Sequence, residues 1–79
     1  MTHAQLKRAM RAGSLALPYP VYLWPHLDPQ SLTCDGQAQH IGAEVLVRPV
    51  KLTPTALLVT LDQANGRPPL WGWIHVYTP

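Results

Sequence analysis

The stretch GAEVLVRPVKLTPTALLVTLDQANGRPPLWGWIHVY, residues 42–77, decides the fold class. Three runs in it are rich in β-branched, leucine and aromatic residues, and turn-forming residues separate them; the runs are 44–50, 55–62 and 70–77, with turns at 51–54 and 63–69. Such runs, joined by short polar or proline-containing connections, are typical of antiparallel strands. The sequence therefore predicts a three-stranded meander over 43–77.

Both faces of the predicted strands carry apolar side chains. In the second run Leu57 and Val59 fall on one face and Leu58 on the other, since successive side chains of a strand point to opposite sides. This pattern predicts a sheet that is curled on itself or covered on both sides. Pro49 cannot donate to a strand ladder, so we expect a bulge or an edge at that position.

The start of the chain has the features of a short helix over residues 2–12. Thr2 and Gln5 have the spacing of a capping box, and Gly13 suits the left-handed conformation that ends many helices. An isolated helix of this length is only marginally stable in water. We therefore expect this helix to dock on the sheet.

The segment between the helix and the meander is rich in proline. Residues 19–24 contain two tyrosines, a tryptophan and a valine, which predict an edge strand or an extended lead-in. Residues 25–39 contain two prolines and few large apolar groups, so they predict a long loop with a turn near Asp35 and Gly36.

The meander resembles the second half of bacterial SH3-like domains. The resemblance rests on a glycine before a V-x-V strand (GAEVLVRPV, 42–50), a second strand ending in acid and turn residues (LLVTLDQANGR, 57–67), and the closing GWIHVY (72–77). It implies a small barrel that binds a peptide, a glycan or another protein and does not catalyse a reaction. The predicted fold is mainly β: a small SH3-like barrel or a curled antiparallel meander with a short N-terminal helix, forming a single domain over 1–79.

Composition gives further expectations. Only 13% of the 79 residues are charged, against roughly 25% in typical soluble domains, and 47% are hydrophobic, which suggests surface that is covered by self-association or by a partner. The single cysteine, Cys34, cannot form a disulfide within one chain and fits a reducing, cytoplasmic setting.

We expect neither a secretion signal nor a membrane span. Small independent domains of this kind are common in mobile genetic elements, which gives an expectation about the source.

The last run places its aromatic residues on one side of a strand. The predicted binding surface consists of Trp71, Trp73, His75 and Tyr77. The opposite side carries Leu70, Gly72, Ile74 and Val76, and its three apolar side chains are the predicted core residues of this strand. Flat aromatic rings bury a large area on binding a protein or peptide. The structural alternative is that Trp71, Trp73 or both pack into the core. We favour a non-enzymatic interaction module for a protein or peptide partner, with self-association to a homo-oligomer.

Two other functions fit the sequence less well. Nucleic-acid binding would use six basic residues, Lys7, Arg8, Arg11, Arg48, Lys51 and Arg67, together with the aromatic strand. A formal net charge of +2 is a weak electrostatic footprint for that role. An enzyme would need several copies to build a shared site at a symmetry axis, because a chain this short offers little room for a cleft.

Residues that could ligate a metal or act as a nucleophile occur between positions 26 and 40. His26, Cys34 and His40 have the spacing H-x7-C-x5-H, which matches none of the paired-ligand patterns of zinc sites. Catalysis by Cys34 would need a base and an orienting group close by. We therefore predict no catalytic residue, no metal site and no cofactor, with Cys34 as an inert, partly buried side chain.

Overall fold

The computed structural model of the chain describes residues 1–76 and has a mainly β fold with one short N-terminal helix. The elements are α1 (His3–Ala12), β1 (Leu15–Ala16), β2 (Val21–Leu23), β3 (His26–Leu27), β4 (Cys34–Asp35), β5 (Gln39–Ile41), β6 (Leu46–Leu52), β7 (Ala56–Leu61) and β8 (Leu70–His75). The predicted fold class is confirmed. The aromatic residue Tyr77, predicted to end the last strand, lies outside the described residues.

All strand pairs are antiparallel. The largest sheet has four strands in the order β1-β6-β7-β8, while β2 pairs with β5 and β3 pairs with β4 in two small ladders. One isolated bridge, between Trp24 and Trp73, joins the segment of β2 and β3 to β8. Within residues 1–76 these sheets stay open, so the fold is a curled meander and not a closed barrel.

Local sequence explains the connections of the meander. Asn65 and Gly66 both have positive φ, 62° and 69°, which is the backbone conformation of the tight turns that suit the twist of a hairpin. At the other connection, the Thr53 hydroxyl accepts from the Ala56 amide at 2.9 Å. Pro49 lies at a register shift between β6 and β7, so the predicted bulge is confirmed.

The helix is capped at both ends, as its sequence predicts. The Thr2 hydroxyl accepts from the Gln5 amide at 3.2 Å, and the Gln5 side chain accepts from the Thr2 amide at 2.9 Å. Gly13 adopts a left-handed conformation with φ 80° and donates to the Ala9 carbonyl at 2.8 Å. Leu6 and Ala9 are buried on the core side of the sheet, which satisfies the expectation that the helix docks there.

The core lies between one face of the large sheet and two elements that cover it, the helix and the β2–β5 ladder. Its most deeply buried side chains are Leu6, Leu17, Val47, Leu57, Val59 and Ile74. Of the three core residues predicted in the last strand, Ile74 and Val76 are confirmed at 2% and 4% exposure, whereas Leu70 is half-buried and packs against the margin of the core.

The prediction of a long loop over 25–39 is wrong in part. Residues 26–27 and 34–35 form the β3–β4 hairpin, in which His26 opposes Asp35 and Leu27 opposes Cys34. Strands of two residues are too short to show alternation in a sequence. The turn between them depends on Asp28, whose amide donates to the Thr33 carbonyl at 3.0 Å and whose carboxylate accepts from the Gln30 amide at 2.9 Å.

Several strand boundaries also differ from the prediction. The strand predicted over 44–50 runs from Leu46 to Leu52, because Glu44 has φ 66° and cannot belong to an extended strand. The segment predicted as extended over 19–24 contributes only three strand residues and the bridge at Trp24. Pro25 then removes the next backbone donor, so the chain changes partner from β5 to β4 at that point.

Gly72 permits a close approach between β8 and the end of β2. The Trp24 and Trp73 amides donate to each other's carbonyls at 2.8 and 2.7 Å. A Cβ at position 72 would lie 2.9 Å from the Trp24 carbonyl oxygen and would overlap the Leu23 side chain. The glycine between the tryptophans is therefore required by packing.

We expect Gly72→Ala to lower the free energy of unfolding by about 1–3 kcal/mol, because the methyl group would force β2 and β8 apart. Gly42→Ala is the matched control, since nothing lies within 4 Å of a Cβ there, and it should stay within about 0.5 kcal/mol of the wild type. Urea denaturation followed by circular dichroism measures both variants. Equal stabilities would contradict the close approach.

Candidate functional site

The three tryptophans of the chain lie on one side of the sheet. Trp24 and Trp73 oppose each other directly, so their side chains share a face, and Trp71 is two residues from Trp73 on the same strand. Trp71 is 56% exposed, while Trp24 and Trp73 are half-buried. We call this surface, formed by Trp24, Trp71 and Trp73, the tryptophan face.

Cross-strand pairing sets the neighbours of the tryptophan face. Thr60 of β7 opposes Trp71, and Leu58 opposes Trp73. Arg48 and Lys51 of β6 continue these two rows at its margin. The surface is therefore aromatic at one end of each row and basic at the other.

The basic margin is partly neutralised. The Arg48 guanidinium forms an ion pair with the Asp62 carboxylate at 2.8 Å, and both side chains are largely exposed. An exposed pair of this kind contributes only about 0–1 kcal/mol to stability. Lys51 is exposed next to it and forms no ion pair with another residue of 1–76. The tryptophan face thus offers one unpaired cation and one ion pair that a ligand could rearrange.

The structure gives the positions of three of the four residues of the predicted binding surface. Trp71 and Trp73 lie on the outer side of β8, and His75 is exposed at the end of that strand. Gly72, Ile74 and Val76 take the core side. Tyr77 lies outside the described residues. Trp71 is exposed, which leaves it open to a partner, whereas Trp73 is half-buried and so keeps a packing role. Whether either tryptophan binds a partner stays a prediction.

A cavity of about 360 Å³ lies between β2, β4 and the end of β8. Its walls are mostly apolar and aromatic: Met1, Tyr19, Val21, Tyr22, Trp24, Thr33, Cys34, Ile74 and His75. We call it the aromatic cavity. Its volume lies within the range of about 300–1,000 Å³ that is usual for ligand pockets. Trp24 belongs to both the aromatic cavity and the tryptophan face.

The polar groups of the aromatic cavity are few. The Tyr19 hydroxyl accepts from the terminal ammonium of Met1 at 2.7 Å. The Tyr22 ring packs edge-on against His40, with 5.7 Å between the ring centroids. Both tyrosines are substantially exposed. The cavity can therefore hold an apolar ligand and offer phenolic hydroxyls to its polar groups.

Cys34 is a half-buried free thiol in the wall of the cavity. Burial raises the pKa of the thiol above its usual range. The protonated form therefore dominates at neutral pH, and a protonated thiol is a poor nucleophile.

Sequence reasoning did not predict that residues in the first half of the chain line a cavity. Tyr22 and Trp24 are two residues apart, which is the same spacing that drew attention to Trp71 and Trp73. That signal could have identified one aromatic face on 19–24. No local pattern in the sequence shows that Trp24 opposes Trp73, since 48 residues lie between them in the chain.

The structure does not bring the six predicted basic residues together. Lys7, Arg8 and Arg11 are exposed on α1, which covers the core side of the sheet. Arg48 and Lys51 project from the opposite side. Arg67 follows the turn between β7 and β8. The nucleic-acid interface therefore stays a prediction. At most two cations, Arg48 and Lys51, border the tryptophan face.

The histidine, cysteine and acidic residues of 26–40 do not come together as one cluster. His26 opposes Asp35 across the hairpin, while His40 packs on Tyr22. Among residues 1–76 no group of three or more such side chains is placed to hold a metal ion. In the same part of the chain, α1 is too short and too polar to cross a membrane.

Comparison with known proteins gives no match: no protein-family model, no curated protein and no solved structure is similar to this chain at a significant level.

The two tryptophans of β8 should differ in their effect on stability. Trp71→Ala should lower the free energy of unfolding by less than about 1 kcal/mol, since over half of the side chain is exposed. Trp73→Ala should cost at least about 2 kcal/mol, because its ring is half-buried beside Trp24 and Leu58. Urea denaturation followed by circular dichroism measures both. A larger loss in Trp71→Ala would show that the exposed ring has a packing role.

Alkylation tests the environment of Cys34. Because burial raises its pKa, the thiolate should form at higher pH in the folded protein than in the urea-unfolded chain. The pH at which iodoacetamide reacts at half its maximal rate, followed by mass spectrometry, should therefore be higher for the folded protein. A lower midpoint in the folded state would identify an activated thiol instead.

Proposed function

We propose that this protein is a non-enzymatic interaction module that binds an extended segment of a protein partner on the tryptophan face. The observation that carries the proposal is the exposure of Trp71, 56%, beside the half-buried Trp73 on a paired strand. Tryptophan is enriched among the residues that dominate binding energy in interfaces. Large exposed aromatic groups lose the most contact with water when a partner covers them.

The placement of these rings suits recognition. Trp71 and Trp73 are fixed by β8, which pairs with β7 along its whole length, so little ordering is needed on binding. Leu58 and the 42% exposed Val50 extend the apolar area toward β6. A partner segment with alternating apolar side chains would fit such a pleated surface.

The charges at the margin suggest which partners bind best. Lys51 offers an unpaired ammonium, and a partner carboxylate could replace Asp62 on the Arg48 guanidinium. The expected ligand is therefore an extended peptide with apolar residues and at least one acidic group. Nucleic acid is the weaker candidate, because few cations border the tryptophan face and the basic residues of α1 lie on the other side of the sheet.

Three finer expectations belong to the same proposal. The resemblance of the meander to bacterial SH3-like domains supports a binding role. The low fraction of charged residues supports self-association, and a single free thiol suits a reducing, cytoplasmic compartment.

The test is selection from a displayed library of random peptides of about twelve residues, followed by calorimetry on the enriched sequences. Trp71→Ala should weaken binding at least about tenfold, since the ring would be a central contact. Tyr22→Ala is the matched control: it also removes an exposed aromatic ring, but from the aromatic cavity, and it should leave the affinity within about twofold.

Two outcomes would overturn the proposal. Peptides that bind Trp71→Ala as well as the wild type would place the site elsewhere. Binding of a single-stranded oligothymidine of about 20 nucleotides at about 50 mM salt, lost in Trp71→Ala and in Lys51→Ala, would show that the tryptophan face reads nucleic acid.

A further inference from the structure

We propose that the aromatic cavity is a docking site for the proline-containing segment 67–69 of a second copy of this chain. The contact is separate from the tryptophan face. It identifies the partner surface through which the protein would associate with itself.

The segment 67–69 is exposed and already ordered for binding. Pro68 and Pro69 follow Arg67 directly after the turn, and all three residues are exposed. Prolines fix φ and remove backbone donors, which favours the extended polyproline II conformation. The Gln63 side-chain amide donates to the Pro68 carbonyl at 2.6 Å and holds the segment against the turn. Little conformational entropy would then be lost on docking.

The aromatic cavity has the chemistry that binds such a segment. Polyproline II segments dock in grooves lined by aromatic rings, and the rings of Tyr19, Tyr22 and Trp24 line this cavity. Three residues of this conformation span about 9 Å, which suits a cavity of about 360 Å³. The phenolic hydroxyls can donate to backbone carbonyls that the extended segment leaves unpaired.

Charge complementarity favours this occupant. The β3–β4 hairpin supplies Thr33 and Cys34 to the cavity wall, and it also carries two exposed acidic residues, Asp28 and Asp35. Hydrogen bonds from the Gln30 amide, and from the Ser31 hydroxyl and amide, hold the pKa of Asp28 below its usual range, so it is ionised at neutral pH. Among residues 1–76 the ion pair is Arg48 with Asp62, which leaves Arg67 without an acidic partner there.

If segment 67–69 docks in the cavity, it must come from a second copy because of where the two features lie. The segment precedes Leu70, at one end of β8, whereas Ile74 and His75 line the cavity at the other end. Five strand residues separate them by about 17 Å. Segment 67–69 therefore cannot reach the cavity of its own molecule. Reciprocal docking of two molecules would give a closed dimer, and unreciprocated docking would give a chain.

Complementation between two variants tests the contact. The segment variant replaces Pro68 and Pro69 with alanine, and the cavity variant replaces Tyr19 and Tyr22 with alanine. We expect the wild type to self-associate at about 100 μM in sedimentation velocity, and each variant alone to be monomeric at that concentration. An equimolar mixture should recover dimers, because one molecule keeps the cavity and the other keeps the segment.

A peptide measurement covers the case in which a variant fails to fold. The blocked peptide ANGRPPL, residues 64–70, should bind the wild-type protein at least about tenfold more tightly than ANGRAAL, with NMR shifts at Tyr22, Trp24 and Cys34. Exchanging charges gives an independent check: Arg67→Asp should weaken association, and mixing it with Asp35→Arg should restore it, whereas Asp28 is left unchanged because its carboxylate holds the β3–β4 turn. Arg11→Asp, on α1, is the matched control and should associate like the wild type.

The outcomes separate this inference from the proposed function. Trp71→Ala should self-associate like the wild type, since Trp71 does not line the aromatic cavity. A monomeric wild type at about 100 μM together with equal binding of the two peptides would overturn the inference and leave the tryptophan face untouched. Self-association that survives in both the segment and cavity variants but is lost in Trp71→Ala would move the self-contact to the tryptophan face.

Discussion

Two backbone hydrogen bonds between Trp24 and Trp73 join the end of β2 to β8, the last strand of the large sheet. They are the bridge between the large sheet and the segment that forms β2 and β3, and they form because residue 72 has no side chain on the core side. Besides this bridge, the Thr55 hydroxyl donates to the Leu32 carbonyl at 2.7 Å and joins the β3–β4 hairpin to the meander. The whole aromatic surface of the molecule depends on the bridge, because it sets Trp24 beside Trp73.

The same bridge divides the aromatic residues into two surfaces with different shapes. On one side lies the flat tryptophan face, with cations at its margin, and on the other lies the concave aromatic cavity beneath the β3–β4 hairpin. A flat surface suits extended segments whose side chains alternate, whereas a concave aromatic one suits a ridge such as two successive prolines. Two contacts of different character on so small a chain would let one partner bind while copies remain associated.

Local signals in the sequence predicted the elements that depend on local interactions. Thr2 with Gln5 predicted the helix start, the polar residues of 63–69 predicted the turn between the last two strands, and Pro49 predicted the bulge, because each acts through the backbone within a few residues. The core side of β8 was predicted from Ile74 and Val76, but the burial of the tryptophans on the other side could not be decided in this way, since both sides of the strand carry apolar groups. The β3–β4 hairpin and the aromatic cavity depend on pairings between distant residues, for which a single sequence carries no periodic signal.

The bulge at Pro49 also affects whether a second molecule can pair with the edge of β6. β1 covers β6 only at positions 46 and 47, so within residues 1–76 the rest of that strand has an outer edge with no neighbouring strand. An uncovered edge is a template on which a second molecule can add its own strand, which leads to aggregates without a fixed size. A proline and a bulge in the middle of the edge, followed by the charge of Lys51, interrupt that template. Strand addition along β6 is thereby disfavoured, while Trp71, Tyr19 and Tyr22 stay exposed on other parts of the surface.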